Sequence, residues 1–153
     1  MGIMREIIPL GVRVLGIDVG ARRVGLAISD PSRTLARPLA TVTVRDASDA
    51  VDRVAEWVAR LQQEDDGLDA IVVGLPARLD GSPTDATPRA LAFIDALRRR
   101  TILPVATEGE RLTSREAEQR LAETVRDWRQ RKPLLDAAAA AIILQDYLDR
   151  EKA

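Results

Sequence analysis

VRVLGIDVGARRVGLAISD, residues 12–30, is the stretch that decides the fold. Its two apolar runs, VRVLGIDVG and VGLAISD, lie on either side of a short polar turn that carries Arg22 and Arg23. Short aliphatic runs with alternation, bounded by a glycine turn, read as paired strands, so the stretch predicts a hairpin. One residue breaks the apolar character of the first strand: Asp18, placed at the strand's end where the chain turns. An unpaired carboxylate is costly to bury, so Asp18 has to reach water, a cation or a neighbouring donor. Capping the turn through the backbone amides of residues 19–22 would be one such outlet.

Working outward, PLATVTV (38–44) fits a third strand, and Ser48 opens a helix with Val51, Val54, Ala55, Val58 and Leu61 at helical spacing and Trp57 beside that stripe. The helix is expected to end near Asp66-Gly67, where glycine supplies a left-handed cap. LDAIVVGLP (68–76) is continuously apolar and stopped by Pro76, as a central buried strand would be. ARLDGSPTDATP (77–88) is a loop, and Ala90, Leu91, Phe93, Ile94 and Leu97 mark a second helix. LPVAT (103–107) is a short strand, Thr113 with Glu116 forms a capping box for a third helix, and LLDAAAAAIILQDYL (134–148) follows Lys132-Pro133 as the last. Its alanines would let it pack closely on a sheet.

Three strands in a meander followed by alternating strands and helices give an α/β fold with a mixed five-stranded sheet. Its expected form is an antiparallel meander of three strands plus two parallel strands, with helices on both faces, which is the ribonuclease H-like order. A fold of this kind does not name a function by itself.

Composition narrows the chemistry. At 153 residues and 46% hydrophobic, the chain suits one domain over residues 1–153, with residues 1–10 as an N-terminal extension. The sequence contains neither cysteine nor histidine, so thiolate chemistry and imidazole bases are excluded, and catalysis must rest on carboxylates, hydroxyls, arginines or bound ions. No apolar run approaches membrane-spanning length, which leads us to expect a cytoplasmic protein without membrane contact. The formal charge of −1 is unevenly distributed: residues 46–69 carry eight acids against Arg53 and Arg60, while residues 98–132 carry nine arginines and Lys132 against six acids. The second segment could follow a phosphate backbone, or simply be a solvated charged surface.

Two further acids stand out. Glu110 falls just after the fifth strand, where it is either a site residue or an exposed loop acid paired with Arg111. Asp136 is expected in the first turn of the last helix, where an acid meets the helix dipole favourably. It also shares a helix face with Ala139, Ala140 and Ile143, so that face should lie on the sheet. If the last helix crosses beside the first and fifth strands, Asp18, Glu110 and Asp136 converge. Three carboxylates without histidine make a hard-oxygen site suited to Mg²⁺ or Mn²⁺, sufficient for phosphodiester hydrolysis.

VLGIDVGARRVGLAISD, IVVGLPARLDGS, TEGERLTSREAE and DAAAAAIILQDYLD together resemble the successive blocks of the YqgF/RuvX family, in that family's order and over nearly the whole chain. The resemblance implies a ribonuclease H-like nuclease related to RuvC, acting in maturation of the 5′ end of 16S ribosomal RNA. It implies Asp18, Glu110 and Asp136 as catalytic, metal-holding acids, and Arg23 and Arg111 as phosphate contacts, although either arginine could instead be an ion-pair partner. Gly74 and Pro76 match the family's GLP block. The chain departs from the pattern at Gly109, where an aspartate is common; Glu108, on the same strand face as Glu110, is a candidate to compensate.

The expected partner is nucleic acid, either precursor ribosomal or other RNA, or branched DNA, bound by a monomer or a homodimer. A Holliday junction resolvase would use the same site and would call for a two-fold dimer. The few aromatics, Trp57, Phe93, Trp128 and Tyr147, suggest a substrate held mainly through phosphates or shape. Two other classes fit parts of the sequence: a phosphate-loop ATPase of the sugar kinase and actin type, for which this chain has only one of the two domains needed, and a binding module without catalysis.

Overall fold

Side chains alternate across a strand, and that rule sorts the hairpin onto two faces. The computed structural model describes residues 12–78, 80–110 and 128–152, without the side chains of residues 110 and 128–134. The N-terminal extension, the expected third helix with Thr113 and Glu116, and residues 111–127 of the basic segment, Arg111 among them, lie outside the described residues.

Strand β1 (Val14–Val19) pairs antiparallel with β2 (Arg23–Ser29), which pairs antiparallel with β3 (Ala36–Thr43). On its other side β1 pairs in parallel with β4 (Ala70–Pro76), and β4 with β5 (Val105–Glu110). The sheet order is β3-β2-β1-β4-β5, the expected mixed sheet with β1 at its centre. Glu110 is the last residue of β5 rather than a loop residue beyond it.

Leu15, Ile17 and Val19 of β1 join Val24, Leu26, Ile28, Ile71 and Val73 on one face. Against them pack α1 (Ala47–Gln63) and α2 (Thr87–Arg98) through Val54, Val58, Leu61, Phe93, Ile94 and Leu97. On the opposite face Val14, Ala27 and Val72 meet Ala140, Ile143, Leu144 and Leu148 of α3 (Trp128–Glu151). Each fully buried leucine or isoleucine contributes about 1.5–3 kcal/mol, so both layers are held apolar side to apolar side. Asp18 falls on the α3 face by its parity with Val14 and Gly16.

Several expected boundaries move, each for a local reason. The N-cap of α1 is Asp46, whose carboxylate accepts from the Asp49 backbone amide at 2.8 Å, so the helix starts before Ser48. At its other end α1 stops at Gln63, and Gly67, with φ 60°, comes too late to cap it. Buried Arg13 closes that end instead, donating to the carbonyls of Leu61 (3.3 Å) and Gly67 (2.8 Å) and pairing with Glu64. Leu91 lies on the exposed side of α2, since the capture of Phe93 and Ile94 by the sheet turns it outward.

The largest shift concerns α3, which begins at Trp128 rather than after Pro133. Pro133 is the sixth residue of this helix, past the four whose backbone donors are unpaired in any helix, so the helix runs through it at the cost of one hydrogen bond, offset by the packing of its later turns on the sheet. Asp136 is therefore in the third turn, beyond the reach of the helix-end partial charges that fade within the first. Its position has to be explained by the sheet it faces. Among the described residues no helix is long and apolar enough to cross a membrane.

Candidate active site

Two glycines bring α3 onto the hairpin. A Cβ at Gly16 would stand 2.7 Å from the Leu144 Cβ and 3.1 Å from the Ala140 carbonyl oxygen. At Gly25 the approach is closer still: a Cβ would lie 2.0 Å from the carbonyl oxygen of Asp136 and 3.0 Å from the Ala137 nitrogen. Only a residue without a side chain permits that contact. Ala137 and Ala140, both fully buried, are the complementary small residues on the helix.

Gly25 is the direct cross-strand partner of Asp18. Directly opposed residues in an antiparallel pair stand about 4.5–5.5 Å apart, so the helix backbone at Asp136 rests beside the strand position that carries Asp18. Both carboxylates are partly exposed, at the end of the sheet where β1 turns into β2. The backbone at Asp136 is thus brought beside the strand position of Asp18 through Gly25.

Arg23, also on the α3 face of β2, pairs with Asp136, Nε to Oδ2 at 2.9 Å. Of the two readings left open for this arginine, the ion pair is the one realised in the structure. Its side chain remains 61% exposed, so the pair stands at the surface.

Glu110 is in register with Pro76, two residues beyond Glu108 on β5. This puts its backbone on the same sheet edge, two strands from Asp18. Glu108 itself is buried and paired with Arg150 near the end of α3. That engagement makes it a structural ion pair and removes the expected compensation for Gly109. Gly109 is exposed, and a Cβ there would meet nothing within 4 Å among the described residues.

Asp18 and Asp136 are an all-oxygen donor pair, which fits a hard cation such as Mg²⁺ that binds through one or two carboxylates and keeps several waters. Among the described residues no group of three metal-ligating side chains gathers, which leaves Glu110 as the candidate for a third.

Of the basic segment, the arginines whose side chains are described have structural partners. Arg98 donates to the Val105 carbonyl at 2.7 Å, Arg99 pairs with Asp95, and Arg100 pairs with Asp52 at 2.7 Å. For these three the charged-surface reading holds. Elsewhere Asp49 on α1 accepts from the Arg45 backbone amide and from Arg45 and Arg53 side chains, which together lower its pKa. Much of the acidic stretch is thus engaged in holding α1.

Sequence reading missed Gly16 and Gly25 as determinants of the site. The signal was present: small residues recur at alternate positions of one hairpin face, opposite a helix with five consecutive alanines.

Comparison with known proteins bears on the family and the fold. The model of the RuvX family, described as "Holliday junction resolvase", matches residues 12–150. A protein of Dechloromonas aromatica named "Putative pre-16S rRNA nuclease" is 41% identical over 136 residues, covering 89% of this chain and 90% of the relative. One of the same name from Leifsonia xyli is 43% identical over 145 residues, covering 94% and 88%. Among solved structures, Thermus thermophilus RuvC in complex with a Holliday junction substrate superposes with a TM-score of 0.56 at 18% identity, covering 93% of this chain and 96% of the other. That likeness bears on the fold, which is ribonuclease H-like.

Proposed function

The chain belongs to the RuvX family, and from that premise we propose that it is a metal-dependent nuclease hydrolysing phosphodiester bonds in the 5′-end maturation of precursor 16S ribosomal RNA. The observation that carries the reading is the seating of Asp136 on Gly25, opposite Asp18. The relatives' shared name supplies the substrate. Such a substrate is cytoplasmic, and a single domain over the whole chain suffices to act on it.

Asp18 and Asp136 are the principal metal-holding residues of this reading, with Glu110 as a third ligand or as the base that orients the attacking water. A divalent cation, when bound, supplies charge neutralisation and Lewis acidity at the scissile phosphate. The chain's own part is to hold two carboxylates in fixed relation on rigid elements. Asp18 is set by the central strand, and Asp136 by a helix that cannot shift without leaving the glycine contact. In this reading Arg23, released from Asp136 when a cation takes that carboxylate, contacts phosphate together with Arg111.

Arg23 has a measurable consequence. Because it neutralises Asp136 in this structure, it competes with a cation for the same oxygen. We expect Arg23→Gln to bind Mn²⁺ more tightly by calorimetry while binding RNA more weakly. An unchanged Mn²⁺ affinity would mean that the ion pair plays no part in the metal site.

The test of function is incubation of the purified protein with a precursor 16S fragment, an unrelated single-stranded RNA and a four-way DNA junction, each with Mg²⁺, Mn²⁺ or chelator. Metal-dependent cleavage of the precursor is expected. The family's description favours one second reading, junction resolution, which would appear as preferred cleavage of the junction by a two-fold dimer. Failure to cut any substrate would leave a binding module without catalysis.

A further inference from the structure

A cavity of about 550 Å³ opens on the other side of the sheet, between the β1–β2 turn, the start of α1 and the length of α2. Its walls are mainly apolar, formed by Val19, Val51, Ala92, Phe93 and Ala96. A space of this size lies within the range of ligand pockets and exceeds the small voids of a packed core. It begins at Val19, the residue that follows Asp18, so cavity and carboxylates flank the same end of the same strand.

Charge around the cavity is asymmetric in what is already engaged. Asp46 caps α1, and Asp52 is held by Arg100. Arg99 is paired with Asp95. Arg89 also lines the cavity, is exposed, and has no partner among the described residues. An apolar slot floored by the edge of buried Phe93, with a cation that has no partner among the described residues, suits a flat, uncharged ring attached to a phosphate.

We propose that this cavity receives an unpaired nucleobase of the substrate, a few nucleotides from the phosphate held at Asp18 and Asp136, with Arg89 contacting the adjoining backbone. The proposal rests on the nuclease reading and adds to it a requirement for single-stranded character beside the cut. A strand reaching the carboxylates on one sheet face passes the Gly20-Ala21 turn and enters the slot on the other. Burial of the base against Val51 and the alanines supplies affinity without reading its sequence, since every base presents an apolar ring face.

The test uses a short fluorescein-labelled single-stranded RNA, bound in chelator and followed by anisotropy, together with versions in which one abasic position is moved along the strand. Ala92 is exposed on α2, so Ala92→Trp fills the cavity without disturbing the core. We expect this variant to bind the intact RNA roughly tenfold more weakly, and one abasic position to weaken the wild-type protein by a similar factor. The two losses should not multiply, because both empty the same contact. Arg89→Glu serves as a second variant, expected to weaken binding and flatten its salt dependence.

Losses that multiply, an Ala92→Trp protein that binds normally, or no binding of single-stranded RNA at all would each overturn the pocket. Cleavage of the same RNAs with Mn²⁺ separates the two claims. Coupled losses without any cleavage would sink the nuclease reading and leave the pocket standing, whereas cleavage with independent losses would do the reverse.

Discussion

Asp18→Asn is expected to lose metal-dependent cleavage while keeping its fold. The substitution retains the size of the side chain on a central strand whose neighbours are fixed by pairing with both β2 and β4, so thermal unfolding should stay close to that of the wild type. What disappears is one of two carboxylates, and with it charge attraction for a divalent cation. Loss of an outer-shell partner alone typically costs about 10–100-fold in metal affinity or activity, and loss of a ligand should exceed that. The check is a single-turnover rate at saturating Mn²⁺ alongside a calorimetric metal titration. A variant that cleaves at the wild-type rate would remove Asp18 from the mechanism.

Gly25→Ala tests the contact that assembles the site. One methyl group would be placed 2.0 Å from the Asp136 carbonyl oxygen, a separation that backbone atoms cannot tolerate. The helix must move away, and overpacking of this kind costs about 1–3 kcal/mol. In a protein of this size each kcal/mol lowers the melting temperature by roughly 2–4 °C. Activity should fall further than stability accounts for, because the displaced residue is Asp136 itself. Gly109→Ala is the control: its Cβ meets nothing among the described residues, so its effect on stability should remain within about 0.5 kcal/mol. Equal behaviour of the two variants, or a fully active Gly25→Ala protein, would show that the helix does not owe its position to this glycine.

Much of the architecture was legible from residues 12–30 and the runs after them. Alternation on a half-buried surface is a local property, so the three-strand meander, the buried β4, the face of α1 and, Leu91 apart, that of α2 could be read directly. Boundaries were less legible where the deciding partner was distant. Arg13 closes the end of α1 from 48 residues away, at Leu61, and no nearby signal announces it. The start of α3 was misjudged because Pro133 reads locally as a stop, whereas a helix held by Ala140, Ile143 and Leu144 against the sheet can extend through it.

The site divides in the same way. Asp18 was visible because a charge in an apolar strand is anomalous wherever the strand goes, and Asp136 because its spacing to Ala140 and Ile143 turned it inward. Glu108 could not be assigned locally: alternation gave its face, but only the fold brought Arg150, 42 residues away, to occupy it. Arg23 was likewise ambiguous until Asp136 arrived beside it.

By itself the sequence determined which residues are apolar, at what period, and where a carboxylate interrupts them, and these suffice for strands, helices and the proposal of hard-oxygen chemistry. The tertiary structure alone decided that Asp136 rests against Gly25, that Glu108 is taken by Arg150, and that a cavity opens beside Val19. The reason is physical: periodicity is set by backbone geometry over a few residues, but distances between side chains on different elements depend on how closely their backbones can approach. Here that approach is set by the absence of a Cβ at Gly25 and by the small side chains of α3 that face the sheet.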